Sequence, residues 1–207
     1  PRELTPTDPL LRTRSSRAMR ATYKYFLLTI ILMAAQVGLG ALTAHYSVQG
    51  EGFYGLPLAR WIPYPLTRTW HLQAGMFWIA TAWLATGLYM APAVSGHEPR
   101  FQRLGVNVLF GALLVIVVGS MFGTWYGTRQ QMGYDMNFWF GHQGYEYVDL
   151  GRFWQLFLFA GLFIWLGLIL YMSELFHREG GARIRYRQLS AARIRQRRRS
   201  RLSAAVL

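Results

Sequence analysis

The sequence predicts an all-α integral membrane protein of four spanning helices, and three observations carry that prediction. Residues 25–44, 70–92, 104–126 and 153–172 are four predominantly apolar runs. Each is about 20 residues long, enough to cross a hydrocarbon core as a helix. The apolar residues, 53% of the chain, lie in these continuous runs and do not alternate with polar ones. That pattern excludes a β-barrel, and in lipid such a run must satisfy its own backbone as a helix. The basic residues are also asymmetric. Four spans put both termini on one side, and that side holds eighteen of the 22 lysines and arginines. The other side has Arg60, Arg68, Arg129 and Arg152. The positive-inside rule then places both termini in the cytoplasm.

Along the chain, residues 1–24 form a cytoplasmic basic arm, extended around Pro6 and Pro9. The first span ends near His45. The first outer loop is rich in Gly and Pro and carries Phe53, Tyr54, Trp61 and Tyr64, aromatics suited to the headgroup level. The second span ends at Pro92, where a short cytoplasmic loop begins. The third returns outward. A second outer loop, too aromatic to be solvated (Phe138, Trp139, Phe140, Tyr145, Tyr147), is expected to pack over the helix ends. The fourth span closes a membrane region of residues 25–175. Residues 176–207 form an Arg-, Ser- and Ala-rich tail, disordered or read out of frame.

Composition also limits function. There are no cysteines, hence no disulfide and no thiolate metal site. The net charge of +13 follows the topology of the spans, so nucleic acid is not the expected partner; the partner is the bilayer. No nucleotide loop, catalytic triad or zinc spacing is present. The start at Pro1, without a cleavable signal, reads as a fragment.

The polar residues with chemical potential lie on the outer side. His71 opens the second apolar run, where a neutral imidazole suits a haem iron. Ala74, Gly75, Trp78 and Ala82 share its helical face. That face reads either as a recess for a porphyrin or as close helix packing. His45 ends the first span at an expected similar depth. Arg68 and Arg152 suit haem propionates, or a snorkelling arginine and an ion pair with Asp149 or Glu146. Glu146 and Asp149 suit a divalent cation or a solvated face. His97, His142 and His177 read as ordinary loop or tail residues.

Three segments, Arg68-Thr69-Trp70-His71, residues 97–107 (HEPRFQRLGVN) and residues 144–155 (GYEYVDLGRFWQ), together resemble the quinol-dependent bacterial nitric oxide reductases of the haem-copper oxidase superfamily. The resemblance runs from about Arg2 to Leu175. It implies a bacterial inner membrane and denitrification chemistry: two nitric oxide molecules are reduced to nitrous oxide and water. Electron transport in the family runs from quinol through a low-spin haem b to haem b3 and a non-haem iron. It implies that His71 is an axial ligand of haem b, and Arg68, a propionate candidate by its charge and position, is then the expected cofactor-binding residue beside it. Glu146, with Asp149 nearby, then stands at a calcium ion beside the propionates. His45 and Glu51 become quinol candidates, although Gln49 stands where the family often has an acid. The later helices that carry the second haem b ligand and the whole binuclear centre have no counterpart here. The expected function is therefore that of a reductase fragment, inactive alone and dependent on the missing C-terminal helices of the same enzyme. The alternative is a stand-alone four-helix cytochrome b with haem held by His45 and His71.

Overall fold

The computed structural model describes residues 15–95, 98, 100–142 and 150–171. Apart from an isolated bridge between Phe53 and Leu56, regular structure among them is helical. Helix α1 (Arg17–Ala21) is capped by Ser16, whose hydroxyl accepts from the Met19 N–H at 3.1 Å. It passes through Thr22 into α2 (Tyr23–Gln49). Residues 17–21, expected within an extended arm, are thus helical. The cap and a buried Ala18–Met19 pair outweigh the charge of the flanking arginines.

A one-turn 3₁₀ segment (Leu58–Arg60) leads to α3 (Tyr64–Ser95), which is longer than its apolar run at both ends. At its start, Pro65 occupies the first turn, where its missing N–H costs nothing. The Glu51 carboxylate accepts from the Tyr64 N–H at 3.5 Å. At its end, Pro92 lies inside the helix and does not terminate it. So near the last turn, a proline removes only one bond to the preceding turn. Helix α4 (Gln102–Thr128), the short α5 (Tyr134–Phe140) and α6 (Arg152–Tyr171) complete the helices of the described residues.

Four segments are long and apolar enough to cross a membrane: Arg17–Gln49, Tyr64–Ala93, Gln102–Thr128 and Arg152–Tyr171. The protein is a multi-pass membrane protein with an all-α bundle. The core is one cluster in which Tyr25 and Leu32 of α2, Phe77 and Leu88 of α3, and Val106, Leu109, Leu113 and Ile116 of α4 interlock. Apolar burial does little to hold helices together in lipid, so polar links across the seams matter. Between α3 and α4, the Trp70 indole N–H donates to the Met121 carbonyl at 3.0 Å. The buried Gln73 amide donates to Thr124 Oγ1, also at 3.0 Å. Helix α6 packs more loosely. Trp165 stands against Gly87 of α3 and Trp154 against Gly119 of α4, while Phe159 and Phe163 are exposed.

The helices run up and down, so the bundle has two ends. The loop end holds the α2–α3 connection and α5; the arm end holds α1 and the α3–α4 connection. At the loop end the last residues of α5 meet α6 through the Phe140 main chain, while Phe138 and Trp139 of the expected aromatic cover are exposed and Tyr145 and Tyr147 lie outside the described residues. The Trp154 indole N–H donates to the Phe140 carbonyl at 2.9 Å, and the Asn137 side chain accepts from the His142 N–H at 3.0 Å.

Candidate functional site

His71 sits two turns into α3 and faces α2. Its Nδ1–H donates to the main-chain carbonyl of Gln36 at 2.9 Å. That carbonyl is reachable because Gly40, one turn further along α2, has no side chain. A Cβ there would lie 2.8 Å from His71 Cε1. Next along the seam, the Gln36 amide fills the space over Gly75, where an added Cβ would lie 2.8 Å from its nitrogen. Gln36 Oε1 accepts from the Trp78 indole N–H at 2.5 Å. His71, Gly75 and Trp78 therefore form one stripe against Gln36 and Gly40. Of the two readings of the small-residue face, the structure supports close helix packing; the space beside Gly75 holds Gln36.

His45 is placed differently. It lies in the final turns of α2, and its Nε2–H donates to the Gly52 carbonyl at 2.6 Å. Phe53 and Tyr54 enclose the ring, with centroids 4.9 and 5.3 Å away. Five residues separate His45 from Gly40, so the ring is about 140° around α2 and about 7 Å further along it. The expected similar depth of the two histidines does not hold. Helix α3 begins at Tyr64, six residues before the apolar run, and this carries His71 deeper. The structure does not bring His45 and His71 together.

Glu51, the other quinol candidate, lies at the start of α3 through its contact with the Tyr64 N–H, at the same end as His45. Arg68 is exposed on α3 one turn before His71. Arg152 opens α6, donates to Gln155 Oε1 at 2.7 Å and stands over the Phe138 ring at 5.9 Å. Glu146, Asp149, His97 and His177 fall outside the described residues, as do residues 1–14 and 172–207. Among the described residues no group of three or more His, Cys, Asp or Glu could hold a metal ion.

Sequence reasoning missed Gln36, Gly40 and Tyr46. Gln36 carried a usable signal: it is a lone amide within the first apolar run, and a polar side chain in lipid needs a partner on another helix. Tyr46 did not, because its buried hydroxyl, unpartnered among the described residues, is a feature of packing alone.

A family model, cytochrome c and quinol oxidase polypeptide I, matches residues 20–192. The chain belongs to this family, that of haem-copper oxidase subunit I. The matched stretch takes in the last three spans whole and all but the first three residues of the first, and reaches past Leu175 into the Arg-rich tail. No curated protein matches the chain.

Proteins of this oxidase family are oxidoreductases that bind haem, so the histidines can be tested for fit. Metal-ligating histidines almost always donate their second ring N–H to a carbonyl or carboxylate, which fixes the tautomer and the ring plane. His71 has this arrangement on Gln36, and no described residue bonds its Nε2. The imidazole fits an axial ligand, although the face beside Gly75 does not provide the recess. His45 fits less well: Nε2, the nitrogen remote from the backbone, is already engaged by Gly52.

Proposed function

We propose that this chain is the segment of a quinol-dependent nitric oxide reductase that supplies one axial ligand of the low-spin haem b. The complete enzyme reduces two nitric oxide molecules, with two electrons and two protons, to nitrous oxide and water. The observation that carries the reading is the His71–Gln36 carbonyl bond, which holds the imidazole so that Nε2 can ligate iron. The motif resemblance around Arg68–His71 and residues 144–155 narrows the oxidase family to the reductase branch. When bound, haem b relays single electrons between quinol and the binuclear centre.

In this reading the residues divide the work by position. Gln36 and Gly40 orient His71. Arg68, one turn toward the loop end, offers its guanidinium to a propionate. His45, Glu51 and Tyr46 line the quinol side, where the Tyr46 hydroxyl and the second Glu51 oxygen can accept or pass a proton. Glu146 and Asp149 bind calcium beside the propionates. Haem b3, the non-haem iron and the second haem b ligand belong to helices outside these 207 residues. Both termini face the cytoplasm; cysteine labelling at the tail from the periplasmic side of intact cells should therefore fail.

The test is reconstitution of the purified chain with haem, followed by visible spectra of wild type, His71→Ala and His45→Ala. Weak, five-coordinate binding is expected, abolished in His71→Ala and retained in His45→Ala. Nitric oxide consumption should not exceed that of the His71→Ala control. A stable six-coordinate, low-spin spectrum lost equally in both variants would instead establish the four-helix cytochrome b.

A further inference from the structure

At the arm end, α1, α2 and α4 enclose an open notch of about 480 Å³ lined by Arg17, Arg20, Ala21, Lys24, Arg103 and Asn107. Arg17, Arg20 and Lys24 recur at helical spacing along α1–α2, and Arg103 and Asn107 stand one turn apart on α4, so two helix faces present their polar groups to one space. Lys24 is fixed within it. Its ammonium donates to Asn107 Oδ1 at 2.5 Å and lies 4.6 Å from the Phe110 ring centroid. Four cations therefore converge, and none of them pairs with a carboxylate among the described residues. The nearby Glu98 is turned to the Ala18 N–H, which donates to it at 3.0 Å.

Like charges gathered in one open notch repel one another modestly, since Arg17, Arg20 and Arg103 are exposed, and an anion joining them turns that repulsion into attraction. We propose that this notch binds the phosphodiester headgroup of an anionic phospholipid. A phosphate oxygen set matches a cluster of arginine and lysine donors, and basic pockets between membrane helices are suited to such headgroups. A lipid fits better than free phosphate because of what adjoins the notch. Leu27 and Ile31, three and seven residues after Lys24 on the same helix face, are 59% and 54% exposed, and Leu104 beside Arg103 is 58% exposed. These are apolar surfaces along which acyl chains would lie while the headgroup occupies the notch. The assignment is independent of the haem reading.

The purified full chain, in a neutral detergent, should be titrated with phosphatidylglycerol, phosphatidylcholine and inorganic phosphate, and the bound lipid counted by native mass spectrometry. Phosphatidylglycerol is expected to bind at least about tenfold more tightly than either competitor. Lys24→Gln and Arg103→Gln should each weaken it about fivefold, in keeping with one basic residue near a membrane surface. Lys24→Arg, which keeps the charge and serves as the folding control, should stay within about twofold. Equal binding of the two lipids, or an equal loss in the loop-end variant Arg129→Gln, would overturn the site. Saturation by inorganic phosphate at the same concentration as phosphatidylglycerol would overturn the lipid assignment.

Discussion

Two histidines near the loop end of the same bundle are held by opposite nitrogens, and the difference decides which ring could offer Nε2 to a metal. In the α2–α3 seam His71 spends Nδ1 on the Gln36 carbonyl and keeps Nε2. In the connection above it His45 spends Nε2 on the Gly52 carbonyl, boxed by Phe53 and Tyr54. The first arrangement depends on a glycine of the neighbouring helix, the second on a loop folded back on its own helix. Availability for iron is thus decided by what faces each ring.

The seam can be broken most directly at Gly40. In Gly40→Val the new side chain meets the His71 ring, which must swing off the Gln36 carbonyl. Retained haem is expected to fall at least tenfold, and overpacking of this kind typically costs about 1–3 kcal/mol, read as a lower unfolding temperature in detergent. The matched change in the loop, Gly52→Ala, has open space around it and should alter neither quantity. Equal effects at the two positions would remove the distinction drawn between the regions.

The sequence reveals the fold further than it reveals the site. Four apolar runs of spanning length give four spans because lipid leaves the backbone no alternative to a helix. Their ends are less legible. Polar residues such as Arg68 and Thr67 extend α3 toward the loop end, with Glu51 accepting from its first N–H. Pro92 is absorbed near the other terminus, since one lost bond there does not unwind a packed helix. At the site, His71 stands out as an ionisable residue at the edge of a span. Its orientation does not, because Gln36 and Gly40 lie 35 and 31 positions earlier, and only the assembled seam sets them opposite the ring.

Gln36→Leu sharpens the comparison by separating stability from ligand geometry. The substitution leaves the Trp78 indole without its acceptor, worth about 1 kcal/mol between membrane helices. The His71 bond goes to the Gln36 main chain, so haem retention should stay near wild type while the unfolding temperature falls. A parallel loss of haem would show that the amide, and not the carbonyl, places the ring.

In the loop, Gly55 has φ +81°, a conformation that disfavours a side chain. Gly55→Ala should cost about 1–2 kcal/mol and loosen the turn that carries Phe53 and Tyr54, with the haem spectrum unchanged. Faster proteolysis between α2 and α3 would report that loosening.

The smallest expected effect is at Glu51. Its carboxylate stands at the first N–H of α3, where the positive end of the helix dipole favours an anion. The contact is long and Glu51 is exposed, so solvent screens the attraction. Glu51→Gln keeps an oxygen acceptor and removes the charge, so the loss should be about 0.3–1 kcal/mol and should shrink further with added salt. If Glu51 also serves the quinol side, the same variant will lower quinol-driven haem reduction by far more than this stability change. A quinol rate that follows stability alone would leave Glu51 with its role at the start of α3 only and remove it from the quinol candidates.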